Sequence, residues 1–279
     1  MGIEFLIRKI DEYTGYLSSI VSKIEINIEK IKIKELDNAL QGLTIAQISD
    51  LHISKYNIEL IEEAVKRLNE LNPDVVVMTG DAICQGKKFI ADLERIFRNI
   101  SSRYGVYACL GNHDHSDGDD GLRVQSLYKN CNAEILVNSS SCINIRGERL
   151  YIAGVDDIEL VVQDFKKITE NISEEGVKIF LAHNPINFQE FAEYKPHLVL
   201  SGHTHGGQLY FNFLEFIYRL RLNSPYITGL YRHNESVLYI NKGIGTTLFT
   251  PDIFGKRFYI NTPRINTSPE ISVFKLEGE

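Results

Sequence analysis

At 279 residues the chain is long enough to bury a sizeable core. Apolar residues make up 43% and charged residues 24%, the balance of an ordinary soluble globular protein. The formal net charge of -7 argues against general affinity for nucleic acid or anionic membrane, while leaving room for a local basic site.

The four cysteines, Cys84, Cys109, Cys131 and Cys142, form no CxxC pair and no disulfide-like framework. Cys84 and Cys109, in or beside apolar strand-like runs, read as small buried hydrophobes in a reducing compartment, and none of the four is placed as a nucleophile or metal ligand. No stretch reads as a signal peptide or a membrane-spanning helix. The expected location is cytoplasmic, with a peripheral contact at the inner face of the membrane left open.

Residues 1–22 place Ile3, Leu6, Ile7, Ile10, Tyr13, Leu17, Ile20 and Val21 at a helical period, with Arg8, Lys9, Asp11 and Glu12 opposite. This predicts an amphipathic helix packed on the domain or a partner; mixed charges count against a membrane-surface helix. From Ile24 the period becomes two and slips at Glu29-Lys30, which predicts a bulged edge strand. Residues 43–49 form an apolar strand ending in Asp50-Leu51-His52, and 57–71 follow with helical spacing. The run 74–78 ends in Gly80-Asp81. A helix over 88–101 leads to the strand 106–110 and then Gly111-Asn112-His113-Asp114. Strands alternating with helices predict βαβ units and a largely parallel sheet.

Asp117, Asp119 and Asp120 mark an acidic, solvated loop. A short helix is expected over 122–130, then a hairpin over 134–155 turning at Arg146-Gly147-Glu148 and ending in Gly154-Val155-Asp156-Asp157. After a helix near 160–171, the strand 177–182 delivers His183. The strand 198–200 opens into Ser201-Gly202-His203-Thr204-His205-Gly206-Gly207-Gln208, where imidazoles two apart can converge on one point or two. The tail offers strands at 236–240 and 271–276 around an irregular, aromatic-rich stretch, 244–262. With no repeat or linker, the division is an N-terminal helix, 1–22, and a single domain, 23–279.

Five apolar strands therefore end in a turn carrying a metal-ligand type: Asp50 and His52, Asp81, Asn112 with His113, His183, and His203 with His205. Asp and Asn favour such turns for backbone reasons alone. Nearly every strand end acquiring one by chance is a weaker account, because carboxyl ends of strands in α/β sheets converge on one crevice. His115, His197 and His233 fall outside this set and read as ordinary residues. Carboxylate, amide oxygen and imidazole without thiolate suit Mn, Fe, Zn or Co. The donors outnumber what one ion can use, and two ions about 3.5–4 Å apart would share a bridging carboxylate.

Asp50-x-His52, Gly80-Asp81, Gly111-Asn112-His113-Asp114, His183 and Gly202-His203-x-His205 resemble the ordered signature of the calcineurin-like metallophosphoesterases. Gly154-Val155-Asp156-Asp157, Gly206-Gly207-Gln208 and Gly243-Ile244-Gly245-Thr246 resemble the bacterial branch that includes membrane-associated phosphohydrolases and UDP-2,3-diacylglucosamine pyrophosphatases. The resemblance implies a four-layer α/β/β/α sandwich. It implies one metal on Asp50, His52 and His205, another on Asn112, His183 and His203, and Asp81 bridging them. A metal-bridging hydroxide would attack phosphorus, with His113 as catalytic histidine and Asp114 orienting it. The implied activity is cleavage of a phosphodiester or pyrophosphate bond. In 209–222, aromatic residues with Arg219 and Arg221 could meet a lipid-linked phosphate, although an amphipathic covering helix explains them as simply. The alternatives are a phosphodiesterase on soluble nucleotides or nucleic acid, against which the acidic balance counts, and a non-catalytic scaffold, against which the intact ligand set counts.

Overall fold

The computed structural model describes residues 3–20, 23–84, 86–115, 119, 121–157, 165–208, 224–249, 252–253, 256–257 and 260–279. It opens with α1 (Ile3–Ile20), then β1 (Glu25–Ile33), β2 (Thr44–Ile48), α2 (Ile58–Glu70), β3 (Val75–Thr79), α3 (Ile90–Phe97), β4 (Val106–Cys109), α4 (Leu122–Asn130) and β5 (Ala133–Ile135). The second half holds β6 (Ser139–Ile145), β7 (Glu148–Val155), α5 (Phe165–Thr169), β8 (Val177–Ala182), α6 (Phe188–Ala192), β9 (Leu198–Ser201), β10 (Gly229–His233) and β11 (Ser236–Ile240). Two small ribbons follow, β12 (Leu248–Phe249) with β15 (Ile260–Asn261) and β13 (Asp252–Ile253) with β14 (Lys256–Arg257). The last strand is β16 (Glu270–Gly278).

These strands form two six-stranded sheets, ordered β1-β16-β2-β3-β4-β5 and β10-β11-β9-β8-β7-β6. The βαβ reading holds for β2, β3, β4 and β5, which pair in parallel, and for β7, β8 and β9. β16 arrives from the far end of the chain and inserts antiparallel against β2 and parallel against β1. Side chains from both sheets interdigitate between them, among them Ile45, Val77, Ile152, Leu181, Leu200 and Phe274. The outer face of the first sheet packs on α2–α4 through residues such as Ile61, Leu68, Leu93 and Leu127. The outer face of the second packs on α5 and α6 through Phe165, Phe188 and Phe191. The architecture is thus α/β/β/α, the central strands of each sheet burying both faces.

Local patterns explain the elements. In α2, Ile61, Ala64, Val65 and Leu68 are the buried stripe, at the three- and four-residue spacing of one helix face. The β6–β7 hairpin turns at Arg146 and Gly147, both with positive φ (56° and 100°), the requirement of a two-residue turn matched to strand twist.

Two expectations change in detail. β1 pairs with β16 without interruption from Glu25↔Glu270 to Ile33↔Gly278, so it contains no bulge. The apolar set simply swaps faces: Ile26 and Ile28 are exposed, whereas Ile31 and Ile33 are buried between the sheets. The helix expected over 88–101 is a 3-10 turn, Gly86–Phe89, leading into the shorter α3. Of the helix expected near 160–171, Phe165–Thr169 is seen; residues 158–164, like 209–222, lie outside the described residues.

α1 lies against the body through a polar anchor. Asp11 accepts hydrogen bonds from the Tyr56 hydroxyl (2.7 Å) and the Asn261 backbone N–H (3.0 Å), and Ile7 is buried beside it. Phe5, Leu6, Ile10 and Tyr13 face solvent. Among the described residues, no helix is long and apolar enough to cross a membrane.

Candidate metal centre

All five predicted strand ends meet at one edge of the two sheets. Asp50 and His52 follow β2, Asp81 follows β3, Asn112 and His113 follow β4, His183 follows β8, and His203 and His205 follow β9. Asp50, His52, Asp81, His203 and His205 all have φ between 40° and 69°, a left-handed conformation that non-glycine residues avoid. Such strain persists only where the surroundings impose it, and it clusters at functional sites. Here it turns each side chain back into the crevice.

Close packing of these turns needs glycine, as Gly80 and Gly202 illustrate. Gly80 has φ +85°, and a Cβ there would lie 2.6 Å from the Gly111 nitrogen. A Cβ on Gly202 would lie 2.1 Å from both Asp50 Oδ2 and Ser49 Oγ.

Asp50, His52, Asp81, His183 and His205 are buried, and Asn112, His113 and His203 are half-buried at the mouth. One donor set comprises Asp50, His52 and His205; a neighbouring one comprises Asp50, Asp81 and His183. Within the first, His52 Nε2 is 3.0 Å from His205 Nε2 and 3.9 Å from Asp50 Oδ1, and His205 Nε2 is 3.3 Å from Asp50 Oδ1. Asp81 Oδ2 lies 3.3 Å from His52 Nε2 and 3.2 Å from His183 Nε2, which puts Asp81 between the two sets. Two donors each about 2.1 Å from one ion lie about 3.0 Å apart at a right angle and about 3.4 Å apart at the tetrahedral angle. The observed spacings fit divalent-ion coordination. Beyond these sets, His203 Nδ1 is 3.2 Å from Asn112 Oδ1, and its ring stands edge-on to His183.

Electrostatics point the same way. Burial holds the imidazolium forms of His52 and His203 down, to about 3 and about 4, and His205 well below its usual range. Neutral imidazole is the form that binds metal. Burial also opposes charge on His183, yet Asp81 and Asp50 outweigh it and raise that imidazole to about 10. Asp81 shows the counterpart: burial disfavours its carboxylate, but His183 and His52 hold it well below the ordinary value. The space between Asp50 and Asp81 therefore favours positive charge.

Supporting residues fix the donors. His183 Nδ1 donates to the Thr79 carbonyl at 2.7 Å, leaving Nε2 to face Asp81. The Ser49 hydroxyl donates to Asp50 Oδ2 (2.6 Å), and Thr79 in turn donates to Ser49 Oγ (2.8 Å). Arg264, also buried, donates through Nε to the Gly245 carbonyl and through Nη2 to that of Lys242, with Nη2 3.3 Å from His205 Nδ1. Ile244 and Gly245 donate to the backbone carbonyls of Ser49 and Asp50. The arginine thus ties a loop beneath two donor residues.

Asp114 corrects the expectation that it orients the His113 ring. Its Oδ2 accepts from the backbone of Asp81 (2.9 Å) and Gly111 (3.0 Å), and its Oδ1 accepts from Ala82 (2.9 Å). No hydrogen bond joins Asp114 to the His113 ring among the described residues. His113 is placed through its own backbone N–H, which donates to Asp81 Oδ1 at 2.9 Å, with its ring edge-on to His52 at 4.8 Å. Asp114 therefore clamps the turn that bears Asp81.

Sequence reasoning passed over Ser49, Cys84, His115 and Arg264. Ser49 directly precedes the Asp-x-His motif and could have been read with it. Cys84, expected to be an inert hydrophobe, sits beside His52 and His113, although burial and Asp81 push its thiol up to about 12. His115 Nε2 bonds Asp156 Oδ1 at 2.8 Å. Arg264 had no local signal, because 59 residues separate it from His205.

Two sheets between helical layers, with imidazole and carboxylate donors gathered at their strand ends, define a metal-dependent hydrolase class. Comparison with known proteins gives the family: residues 43–207 match the calcineurin-like phosphoesterases, and the chain belongs to that family as a phosphoester hydrolase. It is 29% identical over 271 residues to the uncharacterized metallophosphoesterase YkuE of Bacillus subtilis, covering 95% of this chain and 89% of that protein. It is 25% identical over 262 residues to the UDP-2,3-diacylglucosamine pyrophosphatase LpxG of Chlamydia trachomatis, covering 74% of this chain and 79% of that protein. Among solved structures, TT1561 of Thermus thermophilus superposes with a TM-score of 0.50 at 14% identity, covering 79% of this chain and 99% of that one; this likeness concerns fold alone.

Proposed function

We propose that the chain cleaves a phosphodiester or pyrophosphate bond using two divalent ions, one on Asp50, His52 and His205 and one on Asn112, His183 and His203, with Asp81 shared. The single observation that supports this most is the 3.0–3.3 Å spacing of donors brought from separate strand ends. Mn, Fe, Zn and Co all suit this set of imidazole, carboxylate and amide oxygen. When bound, such ions lower the pKa of water and neutralise the oxygens of an in-line phosphoryl displacement. The chain's own part is positional. His113, half-buried at the mouth, stabilises the phosphoryl oxygens or protonates the leaving group. Asp114 holds the Asp81 turn, and the Thr79–Ser49 chain holds Asp50.

The test is hydrolysis of bis(p-nitrophenyl) phosphate by purified protein loaded with Mn²⁺. A panel of a UDP-linked lipid, a cyclic nucleotide and single-stranded DNA then separates substrate classes. No turnover of any phosphoester by protein that holds two ions would refute the hydrolytic reading of this site.

Within that reading a lipid-linked substrate is favoured. Two observations support it: the exposed row Phe5, Leu6, Ile10 and Tyr13 on α1, and the relative named for a diacylglucosamine substrate. Such a row suits a peripheral membrane contact. Deleting residues 1–21 is expected to lower activity on vesicle-borne substrate and to spare a small soluble diester. Equal activity on both, at unchanged melting temperature, would remove the membrane reading.

A further inference from the structure

We propose that Cys84, His113 and His52 form an additional binding set for a thiophilic divalent ion, overlapping the hydrolytic centre and able to shut it down. The Cys84 sulfur and one ring nitrogen each of His52 and His113 lie within 4.8 Å of one another. Local pairing creates this grouping. The Asp50–Ile53 and Gly80–Ile83 segments run side by side, with an isolated parallel bridge between Ile53 and Ile83 and a 3.0 Å bond from His52 N–H to the Asp81 carbonyl. Residues one step beyond the motifs on either segment are thereby neighbours. Cys84 and His113 are both half-buried, so the set opens towards the mouth of the crevice.

Its chemistry differs from that of the neighbouring sets. One sulfur and two imidazoles select Zn, Cd or Co over Mn, whereas the Asp81 sets carry oxygen donors that a harder ion accepts. His52 Nε2 faces His205 and Asp81, while its Nδ1 is buried with no hydrogen-bond partner among the described residues, a condition that calls for an explanation in a folded protein. Capture of the ion forms one sulfur–metal bond, and the thiol proton leaves to solvent; no electron changes hands. An ion held there engages His113 and crowds substrate from the metals.

The experiment is a Cd²⁺ titration of the full chain preloaded with Mn²⁺, read by sulfur-to-cadmium charge-transfer absorption and by metal analysis, both independent of hydrolysis. The wild type is expected to take up one Cd²⁺ with a sulfur band. Cys84→Ser is expected to lose the band and to raise the half-saturating Cd²⁺ concentration about tenfold or more. His113→Ala is expected to keep the band but weaken binding by a similar factor. The Cys131→Ser/Cys142→Ser double variant is expected to titrate like the wild type, and retained Mn²⁺ reports that each variant is folded. Absence of the band in wild type, its survival in Cys84→Ser, or unchanged binding in His113→Ala would each overturn the proposal.

Discussion

The Nε2 atoms of His52 and His205 stand 3.0 Å apart although 153 residues separate them in the chain, and their rings lie 25° from parallel. Both are held neutral by burial. Two neutral imidazoles can face each other by sharing a proton or by sharing an ion. The donor count favours the ion, and purified protein is expected to hold close to two divalent ions. Each bound ion stabilises the fold by about 2.7 kcal/mol at a hundredfold excess over its Kd, so chelation should lower the melting temperature and abolish hydrolysis together. Full activity with no more than one tightly bound ion would rule out the pair.

Asp81 and His113 are expected to fail in different ways. Asp81→Ala removes a carboxylate that lies 3.2–3.3 Å from imidazoles of both donor sets, and should lose metal. His113→Ala should retain metal and lower kcat about 10²–10⁴-fold, the usual cost of removing a positioned acid. Metal analysis beside kinetics separates the two. Equal metal loss in both variants would make His113 a ligand.

Gly202→Ala tests how tightly the turns are packed. The new methyl would lie 2.1 Å from Asp50 Oδ2, and Asp50 is fully buried, with little space to yield. The carboxylate must rotate or the loop must shift. Weaker metal binding is expected along with a stability loss of about 1–3 kcal/mol, the range for overpacking. Binding equal to the parent would show that the loop relaxes freely.

His115 is raised above its ordinary pKa by its hydrogen bond to Asp156, against the effect of burial, with Asp114 and Asp157 adding to the rise. A group whose folded pKa exceeds its unfolded value of about 6.5 contributes stability fully below that value. The contribution disappears as pH rises through the higher, folded value. Asp156→Asn should therefore lower the His115 midpoint in an NMR titration and flatten the fall in melting temperature above neutral pH. An unmoved midpoint would refute this assignment.

Much of the centre is legible in the sequence because its signals are local. An apolar run followed by Asp50-x-His52 or by Gly80-Asp81 is a strand with a turn at its carboxyl end, and parallel strands bring such ends together. The buried stripe of α2 and the turn at Arg146-Gly147 were equally local. What escaped depended on distant parts of the chain. The face swap in β1 looks like a bulge in sequence, because only its partner β16 reveals the unbroken register. Adjacency in sequence points Asp114 to His113, whereas its nearest donors are backbone groups 32 and 33 residues away.

By itself the sequence determined which residues could be metal donors, where each strand stops and which family the chain resembles, since apolar periodicity and turn chemistry operate over a few residues. Only the tertiary structure decided that β16 divides β1 from β2, that Arg264 lies beneath His205 and that Cys84 joins two site histidines. Those outcomes depend on strand pairing and burial between segments far apart in sequence. No local pattern encodes them, because the energy that selects them arises only when the two sheets close on one core.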